Sequence, residues 1–333
     1  MTEERTAQTV TAPEPVSEWR AGHSVAVGAP ASSANLGPGF DSIGLALAVR
    51  DEYSVSVTDT PGLQIEMHGE GAQALRRDES HLVAKTLKQG LALSGVGWLP
   101  ELAQHGLGLR LDCYNVIPMS AGMGSSATAI VGGLSLGFAL AGDGELTEAE
   151  RTLINTHAGL WEGHPDNSSA SVYGGMTVSW QPSADVVRTA QLEVHPQIEP
   201  VVLVPSGDRL STSTARAALA PLVNHGDAVR QAGRSALLVY AMTQDPDLLW
   251  DATCDWLHQE PRRAAYPASM AAVDTLRGLG HAAVISGAGP TVLALVRSDV
   301  ADAVHAEVRS WGRSWKVLRP GIDTTGVVAA KAN

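Results

Sequence analysis

From Ile117 to Gly142 the chain reads IPMSAGMGSSATAIVGGLSLGFALAG, the stretch that most restricts how it can fold. A loop of Gly, Ala and Ser runs straight into a long apolar segment that contains no Pro. Gly122 and Gly124 carry no Cβ, so backbone N–H groups there can approach a ligand closely. The run from Ser126 onward, rich in Ala, Ile, Leu and Val, predicts a buried helix that begins near the serines. The start of such a helix, with free N–H groups and the positive end of its dipole, is a ready anion site. A phosphate cradle and a plain tight connection both satisfy this pattern. A P-loop would need a Lys followed by Ser or Thr at its end, and no Lys occurs near this loop. Gly122, Gly124 and Ala127 also fit G-x-G-x-x-A, with Asp143 about twenty residues on. Asp143, however, sits in GDG after the helix rather than at a strand end, and Pro118 interrupts the preceding strand. Both points argue against a dinucleotide fold.

At 333 residues the chain has material for one large or two medium domains. Apolar residues make up 44% and charged residues 17%, a globular composition. The formal net charge is −12 and no run of Lys or Arg appears, which disfavours nucleic acid as a partner. An anionic nucleotide would have to be held locally, by backbone amides, a few placed cations or a metal ion. Cys113 and Cys254 have neither metal-site spacing nor the makings of a disulfide framework, so buried free thiols are expected. The opening MTEERTAQTVTAPEPVSEWR is acidic, polar and Pro-containing; it lacks a signal peptide's apolar core and reads as a mobile tail over residues 1–22. No apolar run is long enough to cross a membrane, so a cytoplasmic location with no membrane partner is expected.

HSVAVGAPASSANLGPGFDSIGLAL reads as a short strand followed by a Ser-, Asn-, Gly- and Pro-rich loop. Strands are expected at DEYSVSV, LQIEMHG and GLGLRLDCYNV, and helices at His81–Leu93 and at Thr147–Leu160, the latter opened by TEAE. VYGGMTVSW reads as a strand pair bent at Gly-Gly. A shift in composition over Gln181–Glu199 marks a boundary between domains at 23–185 and 195–330. The second half runs as strand (PVVLVP), helices (Thr212–Leu219, Gly226–Met242, Pro246–Trp256, Ser269–Leu279), strands (AAVISG, TVLALV), helix (Val300–Trp311) and strand (SWKVLRP). This alternation implies an α+β fold of two-layer sandwiches.

Three small-residue loops lie at strand ends: PASSANLGPGFDSIGLAL (Pro30–Leu47), PMSAGMGSSATA (Pro118–Ala129) and SGAGPTVLAL (Ser286–Leu295). Together with EGHPDN (Glu162–Asn167), LSTSTAR (Leu210–Arg216) and LHQEPR (Leu257–Arg262), they resemble the GHMP kinase superfamily. The first loop is similar to that of the homoserine kinases. The resemblance spans about Val25 to Leu318 and departs at Met123, where the family commonly has Leu. It implies a two-domain α+β fold, with a ribosomal-protein-like N-terminal domain that binds ATP and a ferredoxin-like C-terminal sandwich that completes the substrate site.

The resemblance also implies roles for individual residues. Pro118, Ser120, Ala121, Gly122, Met123, Gly124, Ser125, Ser126, Ala127 and Thr128 would cradle the ATP phosphates. Ser126 and Glu162 would bind magnesium, a division that suits an ion taking few protein oxygens. Asn35 and Asp41 would accept the ammonium of an amino-acid substrate. Arg216 and Arg262 would take its carboxylate, with Arg263 the competing register. His164 would sit beside the substrate, Asn167 and Thr212 would touch the reacting hydroxyl or the γ-phosphate, and Gly289 would close the back of the site with Ser286, Gly287 and Ala288. No motif marks an Asp or Lys as general base, so direct in-line transfer is expected. The implied activity is ATP-dependent phosphorylation of L-homoserine, as a homodimer. A mevalonate or sugar kinase, a silent metabolite sensor and a dinucleotide-dependent oxidoreductase are the rival readings.

Overall fold

The computed structural model describes residues 19–207, 212–312 and 314–332. Its first unit is a seven-stranded sheet. β1 (Ser24–Asn35) and β2 (Gly39–Thr58) form a long antiparallel hairpin at its centre. β4 (Gly108–Asn115) pairs with β2, β3 (Gly62–Gly69) runs parallel to β4, and the hairpin of β5 (Met176–Ser183) and β6 (Val186–Leu192) joins through β2. PASSAN is therefore strand rather than the expected loop. Pro30 sits at a shift of register, where a missing N–H costs the ladder little. Its carbonyl accepts instead from the Thr128 and Ser171 hydroxyls, at 3.1 and 3.0 Å.

Helices α1 (Leu82–Leu93), α3 (Ser125–Ala141) and α4 (Glu148–Glu162) pack over this sheet, with α2 (Leu99–Gln104) at its margin. α3 is apolar nearly all round because it lies between sheet and helices and is buried on most of its faces. It meets α1 through glycines: a Cβ on Gly137 would lie 2.6 Å from the Gly90 Cα. α4 opens on a capping box, Thr147 with Glu150, and ends at Gly163 in the left-handed region (φ 80°). VYGG is not a strand bend. Val172 and Tyr173 finish α5 (Asp166–Tyr173), and Gly174 (φ 76°) and Gly175 (φ 65°) turn the chain into β5.

The second unit has strand order β10–β7–β9–β8, built from β7 (Ile198–Pro205), β8 (Ala282–Ile285), β9 (Val292–Arg297) and β10 (Trp315–Leu318). This is the order of a ferredoxin-like fold, as expected. PVVLVP and TVLALV read as unbroken apolar runs because both faces of this sheet are covered. Val201, Leu203 and Ala294 face α9 (Pro267–Gly278) and α10 (Ala301–Ser310). Val202, Val204 and Leu293 enter a second core with α7 (His225–Thr243), α8 (Leu249–Ala252) and residues of the first unit such as Leu36 and Met123. The two units thus share a core.

Several sequence-based expectations need correction. The helix expected over Pro246–Trp256 is a 3-10 turn (Pro246–Leu248) followed by α8 alone, because Asp255 captures the backbone N–H groups of Leu257, His258 and Gln259. The expected division at 185/195 cuts off β6, which belongs to the first sheet. The expected C-terminal domain, 195–330, likewise overlaps β11 (Val328–Lys331), which pairs with β1. The Arg50–Asp323 ion pair, at 2.5 Å, fastens this returning segment. The expected tail over residues 1–22 reaches into the folded part, since Trp19 is buried in the first core; residues 1–18 lie outside the described residues. Cys113 is buried, with its thiol pushed up to about 12 by burial, whereas Cys254 is only half-buried; both are free. Among the described residues no helix is long and apolar enough to cross a membrane.

The glycine contact between α1 and α3 leaves no room for a side chain. Gly137→Ala is expected to destabilise the protein by about 1–3 kcal/mol through overpacking, read as a lower thermal midpoint. An unchanged midpoint would show that the two helices have slack.

Candidate active site

The three small-residue loops meet, and they are joined through backbone. The Ser32 N–H donates to the Met123 carbonyl (3.1 Å), the Gly287 N–H to Ala34 (3.1 Å) and the Thr291 N–H to Ala121 (3.0 Å). Side chains reinforce the joint. The Ser286 hydroxyl donates to the Gly122 carbonyl at 2.6 Å and meets the Ser33 hydroxyl at 2.8 Å, and Asn35 Nδ2 donates to the Gly287 carbonyl at 2.9 Å. Glycine is required at two points of closest approach. A Cβ on Gly122 (φ 85°) would lie 2.4 Å from the Ser286 carbonyl oxygen, and one on Gly124 (φ 70°) 2.1 Å from Ser32 Oγ.

Above this floor lies a cleft of about 230 Å³, and most of the expected site residues line it. Gly124 precedes α3, whose amides from Ser125 to Ala127 come before the first intrahelical bond, Thr128 N–H to Gly124. Ser120, Gly122, Gly124, Ser125 and Ser126 face the cleft. The other five members of the expected cradle do not. Ala121, Met123 and Ala127 bury their side chains in the core, Pro118 is buried outside the cleft lining, and Thr128 turns its hydroxyl back to Pro30 and Gly124. The cradle is therefore narrower than the motif, and it consists of amides and serine hydroxyls.

Opposite the cradle, α4 ends at Glu162 and α5 begins at Asp166, so the short EGHPDN connection delivers four side chains. Glu162 Oε2 is shielded from solvent and has no hydrogen-bond partner among the described residues. Burial raises its carboxyl to about 8, with nearby Asp166 adding to the rise and His164 and Ser126 opposing it. A carboxylate held so, beside the Ser126 hydroxyl, fits a divalent cation, which would restore its charge. His164 donates from Nδ1 to Asp166 at 2.9 Å. Burial alone would lower its pKa, but that bond and the Asp166, Glu162 and Asp41 carboxylates outweigh it and raise it to about 9. Asp166 also accepts from the Asn167 backbone and side-chain amides, while Asn167 Oδ1 accepts from Ser32 at 3.0 Å. Asp41, His164 and Asp166 present atoms within 4.8 Å of one another; with the imidazole charged, this is an ion-paired cluster.

At the far end, Asp41 (φ 55°) has its N–H held by Asn35 Oδ1 at 3.1 Å. Its carboxylate is bound by Arg216 through two hydrogen bonds, of 2.9 and 2.7 Å. Arg216 stands near the end of α6 (Thr212–Ala217); the Thr212 side chain and residues 208–211 lie outside the described residues. Arg262 is 2% exposed and lines the cleft with no carboxylate paired to it among the described residues. Its Nε donates to the Ala215 carbonyl at 2.9 Å, and its guanidinium lies 5.5 Å from the centre of the Phe40 ring. Arg263 is half-buried, paired with Glu260 and Asp274 and outside the cleft lining, so of the two it is Arg262 that faces the cleft. Sequence reading missed Phe40, Ser32 and the bridging part of Asp166, although all three stand inside the quoted motifs.

A second, more apolar cavity of about 430 Å³ adjoins the first along Ser120, Ser125 and Ser126. Tyr53, His81, Leu82 and Ile117 line it, and His81 Nδ1 and Asn115 Oδ1 are buried without hydrogen-bond partners among the described residues.

Comparison with known proteins agrees with this geometry. Residues 82–175 match the model of the GHMP kinases N terminal domain, and residues 238–314 that of the GHMP kinases C terminal. The homoserine kinase of Streptomyces coelicolor is 45% identical over 91% of this chain and 93% of its own length. That of Cutibacterium acnes is 47% identical over 85% of this chain and 92% of its own. The crystal structure of homoserine kinase from Cytophaga hutchinsonii superposes with a TM-score of 0.78 at 22% identity, covering 92% of this chain and 97% of that one, which speaks to the fold.

The bond from Ser286 to Gly122 ties the two units together beneath the cleft. Ser286→Ala leaves a buried carbonyl short of one donor and is expected to cost about 1–3 kcal/mol in chemical denaturation. No loss of stability would mean that the backbone bonds alone hold the loops.

Proposed function

The chain belongs to the homoserine kinases, within the GHMP kinase family, and we propose that this cleft is where the γ-phosphoryl group of ATP passes to the hydroxyl of L-homoserine. The observation that carries the substrate assignment is Arg262, a buried guanidinium with no ion-paired carboxylate among the described residues, set beside Asp41 and Arg216 in the same cleft. A zwitterionic amino acid offers each of these groups a counter-charge. Its ammonium would take the place of the Arg216 guanidinium at Asp41, and its carboxylate would turn to Arg216 and Arg262. One internal ion pair would thus be exchanged for three made with the substrate, while Gly289 and its neighbours close the back of the site.

The phosphates would lie along the amides of Gly122 to Ser126, at the positive end of α3. The adenosine end would enter the adjoining cavity, where His81 and Asn115 hold unused hydrogen-bonding atoms. Ser126 and Glu162 would hold magnesium, which supplies neutralisation of phosphate charge. His164, charged by its carboxylate neighbours, would add a second cation on the substrate side. With its proton held and Asp166 engaged by His164 and Asn167, neither residue is free to act as a base. The substrate hydroxyl would then attack in line, oriented by Asn167, and lose its proton late, to phosphate or solvent. Thr212 is retained as a candidate from the sequence alone.

Open sheet edges at β3 and β10 could pair with a second copy, and a homodimer is proposed on that basis; a monomer in sedimentation equilibrium would remove it. A cytoplasmic setting is proposed from the two free thiols.

The substrate assignment is tested by ADP release with magnesium and ATP against L-homoserine, L-serine, mevalonate and galactose. L-homoserine is expected to give the highest kcat/KM; the absence of that preference would overturn the substrate and leave the kinase. Glu162→Gln is expected to lower kcat by about 10²–10³-fold with the fold intact by circular dichroism. Turnover like that of the unaltered enzyme would take the metal role away from Glu162.

A further inference from the structure

We propose that His258 is a positioning residue of the amino-acid site, a neutral bridge that sets Arg262 against the turn leading into Asp41; this rests on the reading of Arg262 as the carboxylate-binding cation. His258 is completely buried. Its Nε2 lies 2.7 Å from the Gly37 carbonyl oxygen. A carbonyl only accepts, so Nε2 carries the proton and Nδ1 presents a lone pair. Arg262 Nη1, which only donates, lies 3.2 Å from Nδ1. A second proton on the ring would set N–H against N–H at that contact, so the bridge works only in the neutral form.

The surroundings hold the ring in place. Asp255 accepts from the backbone N–H groups of Leu257, His258 and Gln259 and from Gln231 Nε2, which clamps the chain beneath the imidazole. Gln231 also donates to the Pro38 carbonyl, so the same clamp reaches the loop between β1 and β2. The ring itself stacks on Phe40, with centroids 5.0 Å apart and planes 23° from parallel. Phe40 directly precedes Asp41. One side chain therefore touches both halves of the clamp: the turn that leads into the ammonium acceptor and the guanidinium that faces the carboxylate. Arg262 is fixed through Nε on Ala215 and Nη1 on His258, with the Tyr266 side chain also beside it, and the guanidinium so held lines the cleft.

Two substitutions separate the two contacts, because a glutamine amide reaches about as far as Nε2 and an asparagine amide about as far as Nδ1. His258→Gln keeps a donor for Gly37 and withdraws the acceptor from Arg262. Its KM for L-homoserine is expected to rise about ten-fold or more, the equivalent of losing one hydrogen bond to a charged group. The values of kcat and of KM for ATP should stay within about two-fold. His258→Asn keeps an acceptor for Arg262 and should retain most of the affinity for L-homoserine. An unchanged KM in His258→Gln, or an equal loss of homoserine and ATP affinity in both variants, would overturn the proposal. Nitrogen-15 NMR of the histidines in the unaltered protein provides a reading that does not depend on how the variants fold. At neutral pH His258 is expected to show a protonated Nε2 and an unprotonated Nδ1; protonation at Nδ1 would overturn the bridge. Failure of the unaltered enzyme to phosphorylate L-homoserine would instead remove the functional reading and leave the bridge as a structural contact.

Discussion

Ser32 to Met123, Gly287 to Ala34 and Thr291 to Ala121 are hydrogen bonds between main-chain atoms of three segments far apart in sequence. They are the constraint from which the site follows. Backbone can approach backbone this closely only where side chains are small, which is why Gly, Ala and Ser crowd into all three loops. Once the loops are joined, the start of α3, the left-handed residues Asn35 and Asp41, and the turn at Gly287–Gly289 have fixed relative positions. The same bonds make the cleft belong to neither unit alone. The first sheet contributes the cradle and Asp41, and the second contributes the closing loop, Arg216 and Arg262. The shared core through Leu36, Met123 and Val202 then serves as the foundation of the site as well as apolar burial.

Charge inside the cleft is arranged against the charge of the chain. A protein with formal net charge −12 repels a nucleotide triphosphate at long range. Attraction must therefore come from groups a few ångströms away. His164, Arg216 and Arg262 supply three positive side chains, and the amides at the start of α3 add a partial positive charge. Against them stand Asp41, Asp166 and Glu162, of which the first two are already paired. Burial holds the Glu162 carboxyl near neutrality. A divalent cation bound at Glu162 would draw it back to its charged form.

Most of the residues that line the cleft were legible in the sequence because they are grouped locally: EGHPDN spans the short connection from α4 into α5, and Pro118–Ala129 spans the turn into α3 and its first residues. α4 was legible for the same reason, since Thr147 and Glu150 cap it within a single turn. Features decided by distant partners were not. PASSAN looked like loop because Ser, Asn and Pro are poor strand formers, yet β2 and the hydroxyls of Thr128 and Ser171 satisfy it as strand. VYGG was read as strand because Val and Tyr favour strands, whereas the preceding α5 continues through them. Nothing near Val328 signals that β11 returns to β1. Thr128 and Ala127 were drawn into the cradle by their place in the motif; helical rotation turns both of them into the core.

Arg262 and Arg263 show how neighbouring residues of one type can be put to opposite uses. Sequence alone could separate them only by register. In the fold, Arg263 sits on the surface between Glu260 and Asp274, an exposed arrangement that contributes little to stability. Arg262 is taken out of water with no carboxylate in ion-pair contact among the described residues, and it meets a carbonyl, an imidazole lone pair, the Tyr266 hydroxyl and the face of Phe40. Those contacts offset part of the loss of hydration and leave the charge uncompensated. A folding requirement alone would be met as well by an apolar side chain of similar size. Retaining a buried, unpaired guanidinium at the edge of a cleft makes sense when an anionic ligand completes it, and the neutral His258 behind it keeps it in place for that ligand.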